Sequence, residues 1–456
     1  MDANEKKYKM MTETPVEPLI LRLAVPTIIS MLVTAFYNMA DSFFVGKLST
    51  EATAAVAVVF SLMAVIQALG FYFGHGSGNI ISRELGKRNY DEVSYVASTG
   101  FFSAVFVGII LCVTGLIFAP ALAKMLGATP TIIDEVISYM RIILFGAPFM
   151  MASFVLNNQL RYQGSAVYAM VGIVTGAVIN VALDPILIFR CGMGVKGAAI
   201  ATLISQIISF LLLLVGMSKG SAIKLSIKNF RIDFYYQKEI FKCGLPSLLR
   251  QGLASISTMI LNHAAGAYND AVIAAIGIVS RVSMFANSAL IGFGQGFQPV
   301  VSLNYGARRF DRVKKSFWFC VKASLGFLII ISAIGFFFSE EIVAAFRDDA
   351  EVIKIGSFTL KAYSVAFPLN SVIVMCNMLF QSTGKTVSAS FMASARQGLF
   401  LIPCIWILDG VFGLTGLQLS QCITDFLTFA FAIPLLVNYL KNLSKEERAH
   451  KNESIA

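Results

Sequence analysis

Charged residues are scarce in this sequence. Asp, Glu, Lys and Arg make up 14% of its 456 residues, while 57% are hydrophobic. A typical soluble domain carries about 25% charged residues, so the composition excludes an ordinary soluble protein. Windows of about 20 mainly apolar residues recur along the whole chain, and each is long enough to cross the ~30 Å hydrocarbon core of a bilayer. The composition therefore indicates a polytopic membrane protein.

Twelve such windows predict an all-α fold with twelve transmembrane helices, numbered here as spans one to twelve. Helices are expected because a helix satisfies its own backbone hydrogen bonds inside the bilayer. The predicted limits of the spans are 18–43, 52–82, 93–121, 133–160, 165–189, 195–217, 240–265, 272–303, 313–339, 352–381, 386–408 and 413–440.

Catalytic and metal-binding motifs are also missing. The chain contains no HExxH, no nucleophile elbow and no phosphate-binding loop, which disfavours an enzyme and a bound cofactor. Its seven cysteines form no CxxC pattern and have no paired histidine, so the sequence predicts neither a disulfide framework nor a metal site. The N-terminal stretch MDANEKKYKMMTETPVEP lacks a signal-peptide cleavage pattern, and we expect span one to be retained.

Basic residues lie in alternate loops rather than on one basic face, although the net charge is +10. This pattern disfavours nucleic acid as a partner and fits the positive-inside rule, by which loops rich in Lys and Arg stay in the cytoplasm. The basic segments are residues 6–9, 83–88, 219–242, 308–315 and 441–451. We therefore expect a multi-pass protein of the cytoplasmic membrane with both termini in the cytoplasm.

The two halves of the chain are copies of each other. Adding 220 to a residue number in the first half finds a matching glycine, proline, acid or amide in the second. Examples are Pro26 with Pro246, Gly86 with Gly306, Asp91 with Asp311, Pro148 with Pro368 and Asn157 with Asn377. Six spans per copy make the repeats parallel, about an axis along the membrane normal. We predict an N-lobe over 1–217, a cytoplasmic linker over 218–238 and a C-lobe over 239–456, and we expect a monomer.

Span five contains an ionisable residue at membrane depth, in the stretch GAVINVALDPILIF. A charge there costs about 2.5–3.5 kcal/mol on insertion scales, so Asp184 is a candidate for an ion or substrate path. Asn180 lies one helical turn earlier on the same face. Pro185 removes a backbone donor and is expected to bend the helix beside the carboxylate. The alternative is a structural Asp184 that pairs with a neighbouring helix.

Span one carries a polar stripe at helical spacing, formed by Thr34, Tyr37, Asn38 and Asp41. With a rise of about 1.5 Å per residue, Asp41 lies ~35 Å along its helix, Asp184 ~29 Å along span five, and Thr202 ~10 Å below the outer boundary. These depths predict that the polar groups share the outer half of the N-lobe. Their oxygens suit a hard monovalent cation or a shared proton.

The C-lobe lacks this chemistry at the matching positions. Leu261 replaces Asp41, Cys404 replaces Asp184 and Phe400 replaces Asn180. The C-lobe has its own charges inside or near its spans, namely Arg250, Arg281, Arg396 and Asp425. Arg396 and Asp425 both fall near the middle of their helices, where they could pair with each other or contact a substrate. The sequence leaves both roles open.

The stretches PTIISMLVTAFYNMADSFFVGKLS, ISRELGKRNYDE and NVALDPILIF together resemble the multidrug and toxic compound extrusion (MATE) family, most closely its MepA-like branch. The resemblance covers nearly all twelve spans. It implies two six-helix lobes and export of cationic, amphipathic compounds against sodium or proton influx. It also implies that the family's first-lobe cation site falls on Tyr37, Asp41, Asn180, Asp184 and Thr202. The NorM-like branch has two second-lobe acids where this chain has Ala254 and Asn370, so the resemblance places the coupling site in the N-lobe.

These patterns predict a cation-coupled antiporter, driven by protons or sodium, that exports amphipathic, cationic organic compounds through the interlobe cleft by alternating access. Met151, Asn157 and Gln163 are candidate substrate contacts. The alternative is a flippase for a lipid-linked saccharide, which the two-lobe plan also suits. A flippase needs a strongly basic cavity for phosphates, whereas this sequence has a clear acidic site and few intramembrane arginines.

Overall fold

The computed structural model describes residues 3–220, 223 and 225–453, and this part of the chain is helical without a β-strand. The helices are α1 Ala3–Glu13, α2 Val16–Gly46, α3 Thr50–Gly86, α4 Tyr90–Ile117, α5 Ala119–Met125, α6 Ile133–Tyr162, α7 Ala166–Pro185, α8 Gly194–Gly220, α9 Phe234–Gly266, α10 Asp270–Gly306, α11 Phe310–Phe337, α12 Ser339–Phe346, α13 Ala350–Ala366, α14 Asn370–Ser382, α15 Thr386–Ser394, α16 Leu401–Phe412 and α17 Leu414–Glu453.

Twelve of these units correspond to the predicted spans, and most ends differ from the predicted limits by four residues or fewer. The exceptions are the start of span seven, at Phe234 instead of 240, and the end of the span-twelve helix, at Glu453 instead of 440. Spans one to six are α2, α3, α4, α6, α7 with the π-helical turn that follows it, and α8. Spans seven to twelve are α9, α10, α11, α13 with α14, α15 with α16, and α17. The predicted all-α fold with twelve helices is confirmed. The short helices α1, α5 and α12 lie between or before the spans and were not predicted.

Eleven helical segments of the described chain are long and apolar enough to cross a membrane by length and composition, and span seven is not among them. Span seven is more polar because Arg250, Gln251, Ser257 and Thr258 lie in its middle. These side chains line an internal cavity, as described below. Span seven can therefore cross the membrane despite its low hydropathy, since its polar side chains face this cavity and not the lipid.

The repeat extends to unusual backbone conformations. Gly164 and its copy Gly384 have positive φ angles of 80° and 77°. Arg88 and its copy Arg308 also have positive φ angles, of 61° and 56°, in the left-handed region that non-glycine residues rarely adopt. Each pair ends a span and reverses the chain toward the next one. The two six-helix copies therefore share the same turns, which confirms the parallel repeat.

Three hydrophobic cores hold the bundle, and each of the two larger ones contains residues from the other half of the chain. The first core is built mainly from spans two to six, but it also buries Ile240 and Cys243 from the start of span seven. The second core is built mainly from spans eight to twelve, but it also buries Leu19 and Leu23 from the start of span one. The two halves are therefore interlocked at the ends of spans one and seven.

The lobes touch closely at the basic end of the bundle, the side that holds the turns at 87–89 and 307–309. A Cβ atom on Gly86 would clash with the carbonyl oxygen of Leu303, and one on Gly306 would clash with the carbonyl oxygen of Arg83. Because Leu303 is the copy of Arg83, the two contacts are reciprocal, as expected across a pseudo-two-fold axis. Ser82 Oγ also donates to the Pro299 carbonyl at 3.1 Å. The cleft is closed at this end.

Helix α1 bridges the two lobes at the same end. Lys7 Nζ donates to Ser165 Oγ in the N-lobe at 2.8 Å. From the C-lobe, Asn304 Nδ2 donates to the Met11 carbonyl at 3.1 Å, and Arg312 donates to the Thr14 carbonyl at 2.6 Å. The polar N-terminal stretch is thus an ordered strap across the closed end of the cleft.

The connector between the lobes lies against span three. The Ser226 amide donates to Ser98 Oγ at 3.2 Å, and the Arg231 amide donates to Thr99 Oγ1 at 3.1 Å. Span seven begins at Phe234, six residues before its predicted start. The predicted linker 218–238 therefore overlaps the end of span six and the start of span seven, and residues 221, 222 and 224 of it lie outside the described part of the chain.

Candidate functional site

Pro185 changes the helix beside Asp184. The α-helix ends at Pro185 and continues as a π-helical turn over Ile186–Arg190, because proline has no backbone N–H to continue the regular pattern. Asp184 is fully buried, and neither carboxylate oxygen has a hydrogen-bond partner in the described part of the chain. A buried, unsatisfied carboxylate is costly, so these oxygens are available to a proton or a cation.

The five predicted residues come together around Asp184. Asn180 Nδ2 donates to Thr202 Oγ1 at 3.3 Å, which joins spans five and six. Asp41 from span one is close enough to Asp184 for the two charges to interact, and Tyr37 is close to both acids. One oxygen of Asp41 and the side-chain oxygen of Asn180 have no partner among the described residues. The geometry thus gathers acceptor oxygens from three spans.

Tyr139 is a sixth member that the sequence analysis missed. It is fully buried in span four, and its hydroxyl faces Asp41, Asp184 and Tyr37 beside Thr202. Span four descends from Ile133, so Tyr139 lies ~9 Å below its outer end, at the depth already assigned to Thr202. The same helix-rise arithmetic would have found it. Together these side chains form the ion cluster, defined as Tyr37, Asp41, Tyr139, Asn180, Asp184 and Thr202.

No Lys or Arg forms an ion pair with either acid of the ion cluster in the described part of the chain. The cluster therefore offers two carboxylates, an amide oxygen, two phenols and a hydroxyl to one small volume. Hard monovalent cations prefer oxygen ligands, and two nearby carboxylates can also share a proton. The donor set fits either ion.

A chain of cavities leads from the ion cluster to the interlobe cleft. The first cavity, of about 60 Å³, is lined by Tyr37 and Asn180 of the cluster and by Gln67 of span two. The interlobe cavity, of about 130 Å³, shares Gln67 with it and extends to Arg250 and Gln295 of the C-lobe. The first cavity and the interlobe cavity are thus separated by one layer of side chains, which consists of Thr34, Gln67, Phe154 and Ile173.

The three predicted substrate contacts have different environments. Asn157 lines the interlobe cavity, but its Nδ2 donates to the Ala169 carbonyl at 3.0 Å, and its copy Asn377 donates to Ala389 in the same way at 2.7 Å. Met151 is packed in the first hydrophobic core, away from the described cavities. Gln163 lies at the basic end, where its Nε2 donates to the Gln159 carbonyl at 3.1 Å. In this conformation only Asn157 reaches the interlobe cavity.

Arg396 and Asp425 form the ion pair that the sequence left open. Arg396 Nε donates to Asp425 Oδ1 at 2.9 Å, and Asp425 is fully buried. Asn370 donates to the other carboxylate oxygen at 3.0 Å, and Gln421 donates to Asp425 Oδ1 at 3.1 Å. This carboxylate is satisfied by its neighbours, in contrast to Asp184. Arg281, the remaining predicted charge, is exposed and lines an apolar crevice of about 840 Å³ between span one and spans eight to ten.

A second group missed from the sequence lies at the floor of the cleft. Arg161 of span four is almost fully buried and donates to Gln295 of span eight and to Asn158. Its Nη2 also lies 3.5 Å from His75 Nε2, and Ser247 Oγ of span seven lies 3.1 Å from His75 Nδ1. Because Arg161 falls just beyond the predicted end of span four, its charge resembled an ordinary loop charge. The network joins both lobes through neutral partners.

The fold and the ion cluster together define a two-lobe membrane transporter. The MatE family model matches residues 26–186 and 246–407, two segments whose starts are 220 residues apart, and the chain belongs to this family. It is 29% identical over 436 residues to the multidrug export protein MepA of Staphylococcus aureus (strain MSSA476), covering 94% of this chain and 95% of that protein. MepA of Staphylococcus haemolyticus is 28% identical, with 96% of each chain covered.

A solved structure gives the same architecture. The outward-facing conformation of a multidrug resistance MATE family transporter of the MOP superfamily superimposes with a TM-score of 0.91 at 25% identity, covering 96% of this chain and 99% of that chain. The chain is therefore a multidrug efflux transporter of the membrane, and the predicted family is confirmed.

Proposed function

We propose that the protein is an antiporter that exports amphipathic organic cations in exchange for protons or sodium ions. The observation that carries this proposal is the pair of buried acids, Asp41 and Asp184, which have unpartnered oxygens and no cationic neighbour among the described residues. A protein keeps such groups in a membrane only at a cost, so they are expected to bind a mobile ion. The relatives named as multidrug export proteins support the direction of transport.

Alternating access is the second part of the proposal. The lobes are in contact at the basic end, through the reciprocal contacts of Gly86 and Gly306, while the cavities lie further toward the opposite side. If the basic end faces the cytoplasm, with both termini there, this conformation is the outward-facing one. Opening would separate the glycine contacts and the His75–Arg161 network. The transporter then acts as a monomer in the cytoplasmic membrane.

Coupling requires that the ion and the substrate favour different conformations, since a ligand that binds both conformations with equal affinity does not shift the equilibrium between them. In the proposed cycle an ion enters the cluster from outside and neutralises the repulsion between Asp41 and Asp184. Spans one and five then draw together beside Pro185, which changes the wall of the first cavity. The change reaches the cleft through Gln67, which lines both the first and the interlobe cavity. Substrate release to the outside would follow.

The test is transport by purified protein in proteoliposomes. Efflux of a fluorescent cation is measured under a sodium gradient alone and under a proton gradient alone, and we expect one of the two to drive it. Asp184→Asn should abolish gradient-driven transport. Asn370→Ala, which removes a hydrogen-bond donor to Asp425 in the C-lobe, should retain the dependence of transport on the ion gradient. Transport that is insensitive to both gradients in the wild type would refute the antiporter.

The flippase remains the second candidate, because two guanidinium groups, those of Arg161 and Arg250, lie at the cleft. A lipid-linked saccharide carries phosphates that such groups can bind. The ion cluster has no part in flippase activity, so the effect of Asp184→Asn on transport distinguishes the two candidates. A flippase would move a lipid phosphate at the same rate in the wild type and in Asp184→Asn.

A further inference from the structure

The C-lobe contains a large, mainly apolar cavity with one polar wall, which the proposed antiport does not use. It has a volume of about 470 Å³, within the range of sites for drug-sized molecules. Its polar wall is formed by Arg250, Asn287, Asn377, Arg396 and Gln421. Arg396 is neutralised by Asp425, so Arg250 supplies the unbalanced charge.

Arg250 has no carboxylate partner in the described part of the chain. Its Nη1 donates to Asn377 Oδ1 at 3.4 Å, which is a long bond to a neutral group. The charged or titratable groups near it are Arg161, His75 and Tyr162, none of which carries a carboxylate. A guanidinium does not lose its proton in proteins, so it cannot escape the cost of burial by becoming neutral. An anion is the partner that this position lacks.

The position of Arg250 connects the two ends of the binding path. Arg250, Gln251 and Ile291 line both the C-lobe cavity and the interlobe cavity. The interlobe cavity in turn shares Thr34 and Gln67 with the cavity beside the ion cluster. One continuous path therefore runs from Tyr37 and Asn180, which belong to the ion cluster of the N-lobe, to the guanidinium of Arg250 in the C-lobe.

We propose that Arg250 is an anion-binding site for the carboxylate of an amphoteric substrate, a compound that carries both a cationic group and a carboxylate. The inference rests on the proposed function, since it adds a second recognition element to the same transported molecule. The cationic part lies toward the acids of the N-lobe, and the carboxylate lies on Arg250. A guanidinium binds a carboxylate through two parallel N–H donors, which a Lys ammonium cannot match.

Two dyes that differ in one group provide the test. Rhodamine 123 is the methyl ester of rhodamine 110, so both carry the same cationic ring system but only rhodamine 110 has a free carboxylate. Binding to the purified protein in detergent is measured by fluorescence polarisation, without an ion gradient. The result is therefore independent of coupling: loss of gradient-driven efflux would refute the antiporter, whereas this assay reports only on the anion site.

We expect the wild type to bind rhodamine 110 more tightly than rhodamine 123. Arg250→Gln should weaken rhodamine 110 binding about tenfold or more, the effect of losing a charge-assisted hydrogen bond, and change rhodamine 123 binding less than about twofold. Arg250→Lys, which keeps the charge, should retain part of the preference. Arg347→Gln is the matched control, because it removes an exposed guanidinium from the same lobe that lines none of the described cavities, and it should leave the binding of both dyes unchanged.

A competition experiment on the wild type covers the case in which Arg250→Gln fails to fold. Benzoate should displace rhodamine 110 but not rhodamine 123, while benzamide, its neutral counterpart, should displace neither. If inorganic phosphate displaces rhodamine 110 better than benzoate does, Arg250 prefers a phosphate to a carboxylate, and the proposal is overturned. Binding of neither dye, equal binding of both, or equal loss of both in Arg250→Gln would also overturn it.

Discussion

The reciprocal glycine contact at the closed end of the cleft predicts how the conformational equilibrium can be shifted. A Cβ atom on Gly306 would lie 2.8 Å from the carbonyl carbon of Arg83, inside the 3.0 Å limit that real Cβ atoms essentially never cross. The neighbour is backbone, so no side-chain rotation can relieve the clash. Gly306→Ala therefore destabilises the conformation in which the lobes meet at the basic end. It does not affect the conformation in which they are apart, because the contact is then absent.

The size of the effect follows from the cost of overpacking. An extra methyl group forced into a packed contact typically costs about 1–3 kcal/mol. Since about 1.4 kcal/mol corresponds to a factor of ten, the population open at the basic end should rise about 5- to 150-fold. Gly277→Ala on the same helix is the control, because no atom lies within 4 Å of its added Cβ. It should change nothing, or slightly stabilise the helix.

The native thiol of Cys243 reports on the opening. Cys243 is buried at this contact, where Arg83 Nη2 donates to its Sγ at 3.3 Å. The rate of its modification by a hydrophilic thiol reagent in detergent, followed by peptide mass spectrometry, should rise by the same factor in Gly306→Ala. A folded Gly306→Ala variant whose Cys243 reacts at the wild-type rate would show that the contact does not gate the cleft.

Three further predictions concern the ion cluster, the C-lobe ion pair and the topology. Asp41→Asn and Asp184→Asn should each abolish gradient-driven efflux in proteoliposomes. Each variant should keep the wild-type melting temperature, since burying an amide costs less free energy than burying a charge. A folded variant with wild-type ion dependence would show that the acid it lacks has only a structural role. Arg396→Met should destabilise the protein by about 3–5 kcal/mol in thermal unfolding, because Asp425 loses its cation, and a change within error would show that the pair contributes nothing. A cysteine at Ser226 should react with an impermeant thiol reagent in everted vesicles but not in intact cells, and the reverse would invert the topology.

The span limits and the ion cluster could be predicted from the sequence because both follow from helix geometry. The bilayer fixes the length of a span, and a rise of about 1.5 Å per residue fixes the depth of each side chain. Asp41, Asp184 and Thr202 were placed in the outer half of the N-lobe in this way. The same arithmetic applies to Tyr139, which was missed because a single tyrosine in an apolar helix does not stand out as an acid does.

Other features depend on contacts between helices and could not be predicted. Arg161 lies one residue beyond the predicted end of span four, where a charge usually belongs to a loop, and its burial comes from Gln295 of the other lobe. Helix α1 is polar and short, and it is held in place by the hydrogen bonds that Asn304 and Arg312 donate to the Met11 carbonyl. The start of span one is buried in the core of the second half, and the start of span seven in the core of the first half. This burial likewise depends on tertiary packing, which the spacing of apolar residues along the chain does not reveal.

The two lobes share a backbone plan but differ in charge, and the closed contact shows why this matters. The reciprocal contacts of Gly86 and Gly306 place the pseudo-two-fold axis between the lobes, so each lobe offers the same surface to the other. Closure therefore needs no sequence asymmetry. The polar side chains are free to differ. Among the residues that the structure describes, Asp184 of the N-lobe has no cationic partner, whereas Asp425 of the C-lobe pairs with Arg396 and Arg250 has no carboxylate partner. In the proposed alternating-access cycle, rocking about this symmetric contact would change both cavities together, so an ion bound in one lobe would alter the site in the other without a dedicated chain of side chains between them.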